Sequence, residues 1–297
     1  MPKRSVSSVK GNVIKPKGET IPSEPDSVKE SIGDLRAEAD RQEEEEAQRY
    51  AVAFLQKVMR LKGVAIERDH FLRSELRKRG VSDKRVELAI STSPAAAGMD
   101  SGLVDSIAMD VIDFETKKSS VLSFSAGLPG GLAMLGTIPA DVTQYYVHAF
   151  RIMQKLAYLY GWRSFIDDCD EMDDETLAAF ALLLAVMVGV SGANSALTAF
   201  SKTVQSNVAK KVANKALMQT SYYPIIKKVL AGIGVKITKS SFGDAVSKVV
   251  PVVGGFVSGG LTFVSLKGGS RRLAGELRSL PQATGPATAE RSGPVGL

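Results

Sequence analysis

Cysteine and histidine are scarce in this chain. The one cysteine, Cys169, excludes an intrachain disulfide and suits a reducing cytoplasm. The two histidines, His70 and His148, are too few for a metal site with several imidazole ligands, and no HExxH or CxxC pattern occurs. A GxxxxGK[ST] phosphate loop and a complete dinucleotide fingerprint are also missing. We therefore expect no metal and no cofactor.

Two longer patterns are absent as well. No alternation of apolar and polar residues is long enough for a convincing strand, so the sequence predicts an all-α fold. No apolar run follows the basic N-terminus, which argues against a secretory signal and for a cytoplasmic protein. Composition then predicts four segments: a disordered basic arm (1–26), a small helical subdomain (27–94), a helical bundle (95–280) and a disordered tail (281–297).

Local signals place the helix ends of the N-terminal subdomain. An apolar stripe from Ala51 to Leu61 predicts a helix that Gly63 caps. Asp69 is the predicted N-cap of a second helix, and Ser82 of a third that stops before Pro94.

Charge is strongly segregated, although the formal net charge is only +6. Residues 26–49 carry nine acids against four bases, and residues 50–85 carry ten bases against four acids. The run DDCDEMDDE (167–175) has seven acids, whereas residues 177–280 have thirteen bases and two acids. Such a basic, apolar-rich region suits an anionic membrane surface or nucleic acid, but it contains no nucleic-acid recognition motif.

Three stretches without charge follow Pro94. They span Ser119–Ala140, Thr176–Ser201 and Val249–Leu266, with 22, 26 and 18 residues. Each approaches the roughly 20 residues that cross a bilayer, but each also contains helix breakers or small polar residues. The pattern favours buried central helices over membrane spans. Glycines with GxxxG spacing are predicted at helix contacts in these stretches: Gly127, Gly131, Gly255 and Gly259.

Two short motifs have structural and functional interpretations. Gly189–Ala193 approaches the GxSxG motif of hydrolases, but no strand precedes it, so Ser191 is interpreted as a helix-packing serine. The DDCDEMDDE run either caps the following helix, with Asp173 as N-cap, or binds a cation or a basic partner.

The segment from Ile138 to Trp162 carries the best candidate polar site. At 100° per residue its polar side chains fall within an arc of about 80°. These residues are Asp141, Gln144, His148, Arg151 and Lys155. Together they could hold a proton or an anion, or they could form the wetted face of an amphipathic helix.

Two blocks carry a family resemblance. GLPGGLAMLGTIPADVTQYYVHAFRIMQKLAYLYGW and, later, GIGVKITKSSFGDAVSKVVPVVGGFVSGGLTF resemble the EcsC family, named after a protein encoded beside a bacterial ABC transporter. The likeness covers roughly residues 95–280. It implies a bacterial, helical, intracellular and membrane-associated protein, and it implies no established catalytic residues.

These observations together favour a non-enzymatic protein at the cytoplasmic face of the membrane. Its expected partners are an anionic membrane surface or a membrane protein, and its expected role is to assist or regulate a transporter or another envelope process. Two alternatives use the same features: a small-molecule enzyme such as a hydrolase, acting through Asp141, His148 and Arg151, and a membrane-permeabilising toxin or defence effector.

Overall fold

The computed structural model describes residues 26–119, 140–163, 174–206, 221–242 and 263–284, and every regular element in these ranges is a helix. The all-α prediction is confirmed. The helices are α1 (Asp26–Met59), α2 (Arg68–Lys78), α3 (Asp83–Ser91), α4 (Ser101–Ser119), α5 (Ala140–Leu159), α6 (Asp174–Val188), α7 (Ala193–Ser206), α8 (Tyr223–Phe242), α9 (Phe263–Ser279) and α10 (Pro281–Thr284).

The N-terminal helix ends differ in detail from the prediction. Helix α1 ends at Met59, and Gly63 lies beyond it, in a turn, with φ of +84°. The N-cap of α2 is Glu67 rather than Asp69, because the Glu67 carboxylate accepts a hydrogen bond from the His70 amide at 3.2 Å. Asp69 instead lies in the first turn, where its charge complements the helix dipole. Ser82 occupies the N-cap position of α3 as predicted.

The chain divides into two units, with the boundary between Gln42 and Glu43 inside α1. The predicted boundary near residue 94 does not separate two cores, because the buried side chains of α2 and α3 belong to the same apolar cluster as those of the later helices. For example, the rings of Phe54 on α1 and Tyr146 on α5 meet edge to face, with centroids 5.3 Å apart. Phe54, on the apolar stripe of α1, thus packs against α5.

The two predicted disordered ends have different outcomes. Residues 1–25 and 285–297 lie outside the described ranges. The predicted tail, however, starts four residues too early. Pro281–Thr284 form α10, and Ala283 packs against the core, next to the buried Leu280 that follows α9.

Helix α6 lies at the centre of the core. All residues from Thr176 to Met187 are buried, as is typical of a helix that is apolar on every side. The second neutral stretch is two helices rather than one, because Gly189 and Gly192 adopt positive φ values of +77° and +83° between α6 and α7. Ser191 is exposed in this turn, so its interpretation as a helix-packing serine is wrong.

Among the described helices, none combines the length and apolarity needed to cross a bilayer. The first and third neutral stretches lie mostly outside the described ranges, and so do the four glycines predicted at helix contacts: Gly127, Gly131, Gly255 and Gly259.

Other glycines do occupy close helix contacts. A Cβ atom added to Gly269 on α9 would lie 2.7 Å from the carbonyl oxygen of Met187 on α6. One added to Gly234 on α8 would collide with the carbonyl oxygen of Ala47 on α1. Since real side chains almost never approach a backbone this closely, these helix pairs depend on glycine. Helix α9 also packs against α4 and α5, and α4 packs along α5, so that α5 is enclosed.

Candidate functional site

The polar side chains predicted on the segment Ile138–Trp162 lie on α5. This helix is buried along almost its whole length, so its polar stripe is not a wetted face. His148 is 1% exposed, Lys155 is also buried, and Gln144 and Arg151 are half-buried. The side chain of Asp141 lies outside the described residues.

The stripe meets a buried carboxylate on α4. Glu115 is 0% exposed and lies where α4 packs against α5. Its position continues the buried face of α4 at helical spacing, after Val104, Ile107, Ala108, Val111 and Ile112. A carboxylate at a core position requires partners, because desolvating an unpaired charge costs several kcal/mol.

Three basic side chains of α5 supply these partners. Nδ1 of His148 lies 2.9 Å from Oε2 of Glu115. Nε of Arg151 donates to Oε1 and Oε2 at 3.1 and 3.2 Å, and Nζ of Lys155 donates to Oε1 at 2.5 Å. Because residues 148, 151 and 155 are spaced by three and four, they share one side of the helix. We call Glu115 and these three residues the Glu115 cluster.

Electrostatics within the Glu115 cluster favour the ionised carboxylate. Burial alone would raise the pKa of Glu115, but the His148 hydrogen bond and the charges of Lys155 and Arg151 outweigh burial and lower that pKa from 4.5 to about 2. Burial lowers the pKa of Lys155, and the Glu115 carboxylate opposes that shift. The hydrogen bond to His148 and the charges of Lys155 and Arg151 therefore keep the buried carboxylate ionised.

Further contacts tie the cluster to the α1–α2 loop and to α2. Nη1 of Arg151 donates to the carbonyl oxygen of Gly63 in that loop. Nζ of Lys155 lies 5.8 Å from the ring centroid of Phe71 and 5.6 Å from that of Phe114. The Phe114 ring is 52% exposed, so it forms the outer wall of the cluster. The side chain of Gln154, one turn after Arg151 on α5, hydrogen-bonds the same loop at the carbonyl oxygen of Val64 and the amide of Ile66.

The geometry limits the chemistry that the cluster can perform. A carboxylate on Nδ1 of an imidazole is the arrangement that orients a catalytic histidine in hydrolases. Here the carboxylate also binds Arg151 and Lys155, and the imidazole is buried with it. The cluster thus joins α4, α5 and the α1–α2 loop, and catalysis would require His148 to become accessible.

Comparisons with protein-family models, with curated proteins and with solved structures found no match to this chain. The EcsC resemblance therefore stays a prediction.

Sequence reasoning missed two buried charged residues. Glu115 had a readable signal, since it occupies an apolar position in the periodicity of α4. Arg68 is buried as well, and it donates hydrogen bonds to the carbonyl oxygens of Ile90 at 2.7 Å and Trp162 at 3.2 Å. Arg68 thereby links the end of α3 to the residues that follow α5. The sequence around Arg68 does not predict these partners, because they are distant in the chain.

The acidic run DDCDEMDDE lies almost entirely outside the described residues, which resume at Asp174, the first residue of α6. The predicted N-cap, Asp173, falls just outside. In the described ranges, no group of three or more His, Cys, Asp and Glu side chains is placed to hold a metal ion.

Proposed function

We propose that this protein is a non-catalytic helical protein that binds the anionic cytoplasmic face of a membrane and there assists or regulates a transporter or another envelope process. The observation that carries the proposal is the charge on helices α7 to α9. Their described side chains include one acid, Glu276, and seven bases: Lys202, Lys227, Lys228, Lys267, Arg271, Arg272 and Arg278. Each basic residue close to an anionic membrane contributes about 1 kcal/mol.

Aromatic packing argues against single-stranded nucleic acid as the anionic partner. Proteins that bind single-stranded nucleic acid use accessible aromatic rings on which bases stack. In the basic region Phe200 and Tyr222 are buried instead, and their ring centroids lie 5.5 Å apart in an edge-to-face contact. Trp162 stacks on Phe200, with centroids 6.2 Å apart. These rings belong to the core and are not available to bases.

The Glu115 cluster supports the non-catalytic part of the proposal. All three of its basic side chains bind the same buried carboxylate, and these contacts join α4 to α5.

The experiment is sedimentation of the purified full chain with vesicles. We expect binding to vesicles rich in phosphatidylglycerol and little binding to vesicles of pure phosphatidylcholine. Raising the ionic strength from about 0.01 M to about 1 M shortens the Debye length from about 30 Å to about 3 Å and should release the protein. Equal binding to both lipids, binding unaffected by salt, or no binding at low salt would each overturn the proposal.

A further inference from the structure

The basic residues of α9 divide between two sides of the helix. Lys267 and Arg278 lie toward α4, where Nζ of Lys267 is 2.7 Å from Asp113 and Nη1 of Arg278 is 2.8 Å from Asp105. The hydrogen bond from Lys267 lowers the pKa of Asp113, which keeps this carboxylate ionised. Arg271, one turn after Lys267, lies on this side as well, and its charge also lowers the pKa of Asp113. On the α4 side, Asp113 and Asp105 therefore pair with two of the three bases that α9 carries there.

Arg272 lies on a different side of α9, over the turn between α6 and α7. Its Nη1 donates to the carbonyl oxygen of Met187 at 2.6 Å. The same guanidinium nitrogen is 3.1 Å from the position of a Cβ added to Gly189. In the same turn, the corresponding position on Gly192 is 3.5 Å from the side chain of Ile225 on α8. Arg272, the α6–α7 turn and the start of α8 thus meet at one edge.

This edge is basic and polar. Arg272 is exposed on α9, and Lys228 is exposed on α8, one turn after Ile225. Ser191 and Asn194 are exposed at the α6–α7 turn and the start of α7. Among the described residues of the α6–α7 turn, α7 and α8 there is no acidic side chain, and Glu276 on α9 is half-buried one turn beyond Arg272. We call this surface, residues 189–195 and 221–228 with Arg272, the turn edge.

We propose that the turn edge is the surface that contacts anionic phospholipid headgroups, and that the α4 side of α9 does not. The inference rests on the proposed membrane binding and adds which face carries it. Charge complementarity selects the face, because Asp105 and Asp113 would repel the headgroups that Arg272 and Lys228 attract. The exposed glycines of the turn offer no side chain that would hold the headgroups away from Arg272.

Two double variants test the assignment in the full chain. The edge variant is Arg272→Gln with Lys228→Gln. The matched control, Lys267→Gln with Arg278→Gln, loses the same two charges and leaves Asp113 and Asp105 without these cations. We expect the affinity for phosphatidylglycerol vesicles to fall about 30-fold in the edge variant, since two contacts of about 1 kcal/mol each are lost. The control should change it by less than about 3-fold.

A third variant separates charge from packing. Arg272→Lys keeps the positive charge but removes the guanidinium group that donates to the carbonyl oxygen of Met187. We expect this variant to bind vesicles as the unmodified chain does. An equal loss of affinity in both double variants, or a larger loss in the control, would overturn the turn-edge assignment while leaving membrane binding intact. Failure of the unmodified chain to bind vesicles would instead overturn the proposed function. Thermal melts of all variants identify any loss of affinity that comes from unfolding.

Discussion

Replacing Glu115 with glutamine tests the reasoning about the Glu115 cluster most directly. Glutamine has nearly the same shape as glutamate but carries no charge, so Arg151 and Lys155 would remain beside α4 without their buried counter-charge. Breaking a buried ion pair by removing one partner typically costs about 3 to 5 kcal/mol. We expect Glu115→Gln to fold and to be clearly less stable at neutral pH.

The pKa of Glu115 gives a second measure of the loss. That pKa is about 2 in the folded chain, against an ordinary value of 4.5. Each pKa unit between the folded and unfolded states corresponds to about 1.4 kcal/mol, so the ionised carboxylate stabilises the fold by roughly 3 kcal/mol. Because the folded-state pKa is the lower one, this contribution is complete above pH 4.5 and is lost as the pH falls toward about 2.

Urea unfolding followed by circular dichroism measures the effect over a series of pH values. The unfolding free energies of the unmodified chain and of Glu115→Gln should differ by about 3 kcal/mol at neutral pH, and the difference should shrink in acid. Asp110→Asn on the same helix is the control, because Asp110 is 64% exposed and its pair with Arg79 is a surface ion pair. Such a pair contributes less than about 1 kcal/mol. A Glu115→Gln difference that is equally small, or that does not change with pH, would refute the reasoning.

Two further predictions concern packing and buried hydrogen bonds. Gly269→Ala should destabilise the chain by about 1 to 3 kcal/mol in urea, whereas Gly268→Ala, where an added Cβ meets nothing within 4 Å, should leave it as stable or slightly more stable. Equal effects would contradict the close α6–α9 approach. Arg68→Met should lower the unfolding free energy by about 2 to 4 kcal/mol, because buried carbonyl oxygens lose a charged donor. An unchanged thermal midpoint would contradict that role.

Periodicity located the residues of the Glu115 cluster on α5 but not their partner. A spacing of three and four residues places His148, Arg151 and Lys155 on one side of a helix whatever surrounds it. What covers that side depends on how α4 packs, and Glu115 is 33 residues before His148. The helical wheel of α5 could not distinguish a solvent-exposed polar stripe from a buried one. In α4, however, Glu115 occupies a position where the helical periodicity predicts an apolar residue.

The neutral stretch Thr176–Ser201 shows a different limit. Counting uncharged residues measures apolarity, but it does not register where the backbone turns. Gly189 and Gly192 adopt backbone conformations that other residues rarely reach, and these break the stretch into α6 and α7. The apolar character of α6 was predictable, whereas its end follows from the positive φ values of Gly189 and Gly192, which a count of uncharged residues does not register.

The side-chain amide of Gln154 hydrogen-bonds the backbone of the α1–α2 loop through both its donor and its acceptor, as a neighbouring β-strand would. Its Oε1 accepts from the amide of Ile66 at 3.0 Å, and its Nε2 donates to the carbonyl oxygen of Val64 at 3.0 Å. The loop therefore has one amide whose hydrogen bond ends on a buried helix. In native-state hydrogen exchange, the Ile66 amide should exchange at the slow rate set by the opening of α5, not at the fast rate of a surface loop.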